Sequence, residues 1–332
     1  MPPEGRCFSL PPITVTVFTV TVVDLDLENE PVPRGAAGGA VRLALWPCLM
    51  VASSASIWAG SRAGWPIELW APCVVVLNLV AVAVLERILP RVPGVDLLRD
   101  PQAPRDAAHG LLLSLVGTPV GSVVGTAALA TAFGSARGPL AHAWPEALPL
   151  SLQVAGAWLL YTFVDYWKHR GYHSIDALWW VHALHHDVTQ MHVLKGARLH
   201  LLEGTIRAGV VSLPLLVLGA PAEVLVWVAS IDSLLGNLNH SNLDQRFPRI
   251  FHWLVPTVDL HHIHHAAARS LHDTNLGVPI FDLAFGTYTR PTAVPRPIVG
   301  LDGSDVPTTL LGQLVHPFAK WSTSRDGDAE LG

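Results

Sequence analysis

Charge is what this sequence has least of. Asp, Glu, Lys and Arg supply 14% of its 332 residues, and half the chain is hydrophobic, against about a quarter charged in an ordinary soluble domain. That balance excludes a typical soluble enzyme and points to a membrane protein. Cysteine is scarcer still. Cys7, Cys48 and Cys73 form no Cys-x-x-Cys and no even framework. A disulfide scaffold is excluded, and the two cysteines in apolar stretches are expected to be packing residues. No block of Lys or Arg accompanies the net charge of −5, so nucleic acid is not an expected partner. No His-Glu-x-x-His occurs, which removes the zinc-hydrolase helix motif. No Gly-x-Gly-x-x-Gly follows a strand pattern, no cysteine cluster could hold iron–sulfur, and no second domain could hold haem. Any electrons the chemistry needs must therefore come from a separate protein.

Histidine, by contrast, is plentiful and clustered. Fourteen of the 17 histidines lie between His169 and His272. They read His169-x3-His173, His182-x2-His185-His186, a single His240 in NLNHSN, and His261-x2-His264-His265. Residues three and four apart share a helix face, so each cluster can aim two or three imidazoles at one point. Neutral imidazole is the commonest protein metal ligand, and nine rings are too many for one ion. Two metals are the expectation. His262 falls about 100° per residue out of phase with its neighbours and is not expected in the same ligand set. His109, His142, His252 and His316 read as ordinary structural histidines. Asp165, one turn before His169, and more weakly Asp259, before His261, could orient ligand rings. His200 and Glu203 could be supplementary ligands, supporting groups or interfacial anchors.

Four segments have the length and apolarity of membrane-spanning helices, at roughly 41–60, 67–89, 107–133 and 147–166. Arg87, Arg91, Arg99 and Arg105 flank the 90–106 connection, whereas the opposite loops hold only Arg62 and Arg137. The positive-inside rule puts that connection, both termini and the histidine clusters in the cytoplasm. A further apolar stretch, about 206–235, is broken at Gly219–Glu223. It reads as a hairpin dipping into the membrane, because His240 must emerge on the same side as the earlier clusters; two tight crossings would also satisfy this. The expected organisation is a poorly ordered leader over residues 1–40, without a secretory signal, and membrane helices over 41–166. A histidine-rich region follows over 167–290, and a loosely packed cytosolic tail over 291–332. The fold class is all-α, an integral membrane helical protein with a cytosolic histidine-rich cap.

Metals lined by histidine at a membrane face suit redox activation of O2 against an inert C–H bond, chemistry that acids and bases cannot perform. A membrane metal transporter or metal-binding protein is the rival, but it should place its ionisable residues within the spans. A lipid-binding protein without turnover is a third reading.

The run DYWKHRGYH…LWWVHALHH…RLHLLE…NHSN…HHIHH…DTNLG…FDLAFGT, over about residues 155–290, resembles the fatty acid hydroxylase/sterol desaturase superfamily of membrane di-iron oxygenases. The ordered histidine boxes and the closing Asp-x-x-Phe-Gly-Thr from Asp282 to Thr287 carry the likeness. The resemblance implies a ligand set of His169, His173, His182, His185, His186, His240, His261, His264 and His265. It implies two iron ions, with zinc a possible occupant of the purified protein, and O2 as co-substrate. It also implies hydroxylation or desaturation of a bilayer lipid, sterol, fatty acyl or related. Electrons would come from a separate reductase with a ferredoxin or cytochrome b5-like protein. The chain departs from the pattern at Gly236, where some members have a further histidine, at His192, where asparagine is common, and at Leu276, where tyrosine is common.

Overall fold

A long apolar run satisfies its backbone in lipid only as a helix, and three such runs do so here. The computed structural model describes residues 39–134, 140, 142–248, 250–291 and 297–329, and the regular elements among these are all helical. α1 (Gly39–Arg62) and α2 (Ile67–Ile88) are each long and apolar enough to span a membrane. So is the continuous run through α3 (Ala103–Leu112), a π-helical turn (Leu113–Gly117) and α4 (Thr118–Phe133). Their outer faces expose Val51, Leu69, Leu77, Leu115 and Val123. Cys48 and Cys73 lie on these exposed faces instead of packing inside. The leader expected over residues 1–40 falls outside the described residues up to residue 38.

Helix α5 (Leu150–Ser174) forms where the fourth span was expected and runs on past it, carrying His169 and His173 beyond its apolar part. It is not among the three helices with span-like hydropathy, because Gln153, Asp165 and Lys168 dilute its apolar stretch. After a break at Ile175, α6 (Asp176–His186) carries the second histidine cluster.

The 206–235 segment folds back on itself. α7 (Leu201–Ile206), a π-helical turn (Arg207–Val211) and α8 (Leu213–Val217) form one arm, and α9 (Ala222–His240) forms the other. The turn between them uses Gly219 at φ 77°, a left-handed conformation that costs glycine little. At 1.5 Å per residue each arm reaches about 25 Å, nearly the thickness of the hydrocarbon layer. Both open ends return to one face, so His240 meets the earlier clusters.

Close packing fixes this arrangement. α4 crosses the first arm backbone to backbone: a Cβ at Gly121 would lie 2.2 Å from Thr205 O, and one at Gly125 3.0 Å from Gly209 O. α9 lies along α2 through Val82, Leu234 and Leu238, and along α5 through Val154, Ala157 and Val228. In α1–α2 packing, Asn78 Nδ2 donates to Ser53 Oγ at 2.8 Å.

The 90–106 connection sits on the histidine face. Glu86 Oε2, at the end of α2, accepts from the backbone N–H of Val193 (3.1 Å) and Asn242 (2.9 Å). Three short helices complete that face: α10 (Phe251–Leu254), α11 (Val258–His264) with the third cluster, and α12 (Pro279–Phe285). The tail is not loose throughout. α13 (Leu310–Ala329) packs on α6 and buries Gln313 and His316, with Gln313 Oε1 2.9 Å from His109 Nε2.

Candidate metal centre

The histidines converge as two groups. His169, His173, His182, His186 and His264 form one, and His185, His240, His261 and His265 form the other, with ligand atoms of each group within 4.8 Å of one another. The second and third sequence clusters are not one site each. On α6, His182 and His186, four apart, face the first group while His185 faces the second. On α11 the sharing reverses: His261 and His265, four apart, face the second group and His264 the first. Two helices thus each supply both centres, which holds the centres side by side; the His186 and His265 ring centroids are 4.6 Å apart.

Ring tautomers explain why these groups want a cation. His169 Nδ1 lies 2.6 Å from Leu276 O and His264 Nδ1 2.9 Å from Thr274 O. In the other group His240 Nδ1 lies 2.7 Å from Gly236 O, and His185 Nδ1 3.3 Å from Arg198 O. A carbonyl only accepts, so each of these rings carries its proton on Nδ1 and turns the Nε2 lone pair inward. Yet His264 Nε2 and His169 Nε2 are 3.1 Å apart, and His240 Nε2 and His185 Nε2 3.2 Å apart. Two lone pairs that close repel. His173 Nε2 is likewise buried with no hydrogen-bond partner among the described residues. Protons do not relieve the conflict, because burial holds the rings in the neutral form. It keeps His169, His173, His182, His185, His186, His261 and His265 well below 6.5, His240 at about 4 and His264 at about 3. Neutral, inward-facing nitrogen is the form a transition metal takes. The donor set fits two metal ions.

Backbone carbonyls orient four of the nine rings and a carboxylate, Glu203, orients one. Asp282, in the Asp-x-x-Phe-Gly-Thr motif, accepts from Leu276 N (2.8 Å), Gly277 N (3.2 Å) and Thr287 Oγ1 (2.7 Å). It thereby clamps the loop whose Leu276 and Thr274 carbonyls hold His169 and His264. Asn275 between them sits at φ 53° and bonds Leu260 O and Thr289 O through its amide.

The supporting residues anticipated from sequence divide. Glu203 does face one of the converging rings, its Oε2 3.0 Å from His182 Nδ1. Asp165 instead pairs with Lys168 Nζ at 2.6 Å, since Leu276 O already holds the His169 ring. Asp259 pairs with Arg91 at 2.5 Å; two residues before His261 is about 200° around the helix, the opposite face. His200 caps α7, accepting from Leu202 N, and its Nε2 donates to Leu314 O at 3.1 Å. Its ring is spent on structure. His262 is buried and belongs to neither group. His192 bonds Asp100 at 2.8 Å. That third acid–histidine group, with Asp106, is filled by Lys195 (2.6 and 2.7 Å) and Arg198 (2.8 Å), so it is an ion-pair network.

A cavity of about 680 Å³ opens beside the centres. His169, His182, His185, His240 and His261 stand at one end, and Trp158, Tyr161 and Arg207 line it deeper in. The site is thus a pair of imidazole cages fed by a pocket inside a membrane bundle, the arrangement of a membrane lipid oxygenase.

The fatty acid hydroxylase family profile matches residues 154–287, which contain all nine converging histidines. The chain is 30% identical over 286 residues, 85% of each protein, to the ornithine lipid hydroxylase OlsE of Rhizobium tropici. The chain belongs to the fatty acid hydroxylase superfamily, O2-dependent oxidoreductases acting on membrane lipids. No solved structure gives a significant match.

Proposed function

We propose that this protein is a di-iron monooxygenase that hydroxylates a membrane lipid with an amino-acid headgroup, the lipid class in the name of its relative. The observation that carries the reading is the opposed pair of Nε2 lone pairs in each of two adjacent cages at the end of a lipid-sized pocket. His169, His173, His182, His186 and His264 would hold one iron, and His185, His240, His261 and His265 the other. When bound there, iron would supply O2 activation against a C–H bond.

The overall change is R–H + O2 + 2e− + 2H+ → R–OH + H2O, with both electrons from a separate donor, a reductase with a ferredoxin or cytochrome b5-like protein. The chain's own residues bind and orient. Leu276 O, Thr274 O, Gly236 O and Arg198 O fix the ring tautomers, and the buried cages exclude bulk water. The arginine-flanked 90–106 connection lies on the histidine face, so the positive-inside rule supports a cytoplasmic site open to a soluble donor.

The test is metal counting on protein purified anaerobically in detergent, followed by turnover of lipid extract with a reductase. About two irons per chain and a lipid product carrying one added oxygen are expected. Zinc alone, with no oxygenated lipid after iron loading, would overturn the reading.

A further inference from the structure

The cavity is layered, and its layers are read along three helices. α5 passes Trp158, then Tyr161, then Asp165 and Lys168, and reaches His169. α9 passes Leu225 and Val228, then Asp232, and ends at His240. The first hairpin arm runs the other way, from Glu203 beside His182 to Arg207 and on to Leu215. All three give the same order: apolar depth, charged layer, histidines. Asp165 lies one turn, about 6 Å of helix rise, from the His169 level, and Asp232 two turns, about 12 Å, from His240.

The charged layer is one connected group. Arg207 Nη2 pairs with Asp232 Oδ2, Arg207 Nε lies 3.7 Å from Asp165 Oδ1 and donates to Tyr161 Oη at 2.9 Å, and Lys168 bonds Asp165. Two acids and two bases sum to zero charge. None is sealed: Lys168, Asp165, Asp232 and Arg207 keep 13, 22, 18 and 35% of their side-chain surface accessible, and all four line the cavity.

An enzyme presenting the middle or end of an acyl chain to its metals needs an apolar wall beside them. Here an alkyl chain reaching the histidines would strip water from four ions and offer them nothing in return. A zwitterion would. A substrate carboxylate can share Lys168 and Arg207, and a substrate ammonium Asp165 and Asp232, while its acyl chains occupy the layer of Trp158, Leu215, Leu225 and Val228. Zero net charge suits a zwitterion better than an anionic phosphate.

We infer that Asp165, Lys168, Arg207 and Asp232 form the headgroup-recognition site for a zwitterionic amino-acid lipid, and that the oxidised C–H bond lies in that headgroup and not in an acyl chain. The inference rests on the lipid hydroxylase reading and adds where on the lipid the oxygen goes. The balance is unchanged: one oxygen atom enters the headgroup C–H bond, the other leaves as water with two electrons from the donor.

The experiment has two arms on the full chain in detergent. In the first, metal-free protein is titrated with ornithine lipid, with diacylglycerol of the same chains and with phosphatidylglycerol. Ornithine lipid is expected to bind at least about tenfold tighter than either, and Asp232→Asn or Arg207→Gln to weaken it by about a hundredfold. A paired Arg207→Met, Asp232→Leu variant removes both charges without stranding one. It should keep its metal content and lose the discrimination. In the second arm, iron-loaded wild type is turned over with reductase and the product fragmented by mass spectrometry, the added oxygen expected on the headgroup fragment. Oxygen on the acyl fragment, equal binding of the three lipids, or full discrimination in the folded paired variant would each overturn the headgroup site. Charge-dependent binding with no oxygenation of any lipid would leave the site standing and overturn the hydroxylase reading instead.

Discussion

At the scale of single residues, the allocation of histidines to two cages makes otherwise similar substitutions distinguishable. His264 belongs to a five-ring cage and His185 to a four-ring cage. Removing His264 leaves four nitrogens, whereas removing His185 leaves three. His185→Ala should therefore drop iron from about two to about one per chain, while His264→Ala retains more metal at reduced affinity. Both should lose most activity. Metal analysis of the two variants beside the wild type checks this, and equal stoichiometry in all three would sink the assignment. The histidines that converge were legible in the sequence because helical spacing is a local property. Which ring of a His-x2-His-His triplet faces which centre was not, since that depends on where α6 and α11 lie relative to α5 and α9. The carbonyls of Leu276 and Thr274 left no side-chain signature at all. His200 and Asp259 show the converse failure: nearness in sequence says nothing about the direction a side chain takes.

At the scale of helices, the cavity depends on how closely the first hairpin arm approaches α4. Gly121 and Gly125 permit backbone contact with Thr205 and Gly209, a packing typical of membrane helices. Gly121→Ala should destabilise the protein by about 1–3 kcal/mol through overpacking, and Gly125→Ala by less, since its contact is longer. Gly156→Ala on α5 is the control, because nothing lies within 4 Å of its added methyl. There the helix propensity of alanine should make the change neutral or stabilising by up to about 1 kcal/mol. Unfolding midpoints of the three variants in one detergent read the order directly. Gly121 and Gly125 are visible in the sequence as small residues in an apolar run, but the partner they meet is not. The interrupted apolar run at Gly219–Glu223 announced the hairpin more fully, because a chain that must bring His240 back to His185 has few routes. Arg207 and Asp232 were detectable as ionisable residues inside an apolar run, a pattern that marks function in membrane segments. Their pairing across 25 residues of chain was not.

At the scale of the whole molecule, the histidine cap is tied to the membrane helices by a fully buried ion-pair network, and its chemistry predicts how the assembly responds to acid. Burial alone would raise the Asp100 carboxyl above its ordinary 3.8. Lys195, the Gln102 N–H and His192 outweigh burial and hold it at about 2. A depressed carboxyl stabilises the fold fully above its unfolded value and loses that contribution as pH falls through the folded value. For Asp100 the window runs from about 4 down to about 2. His192 adds a slope of the same sign at higher pH, because burial holds it below 6.5 and the unfolded ring protonates first. On its other side Lys195 pairs with Asp106 at 2.7 Å. Asp100→Asn keeps the shape and removes the carboxylate. The metal-free variant should melt about 4 °C below wild type at pH 6, and the gap should close as pH falls from about 4 towards 2. A gap that stayed constant across that range would mean that Asp100 contributes shape and not charge. The same network carries Arg198, whose Nε donates to Leu184 O at 3.0 Å and whose carbonyl accepts from His185 Nδ1. Acid that weakens the network thus loosens the four-ring cage from the side facing the 90–106 connection. Metal lost as pH falls from about 4 towards 2 should leave that cage first, which metal counts on wild type and Asp100→Asn across that range would check.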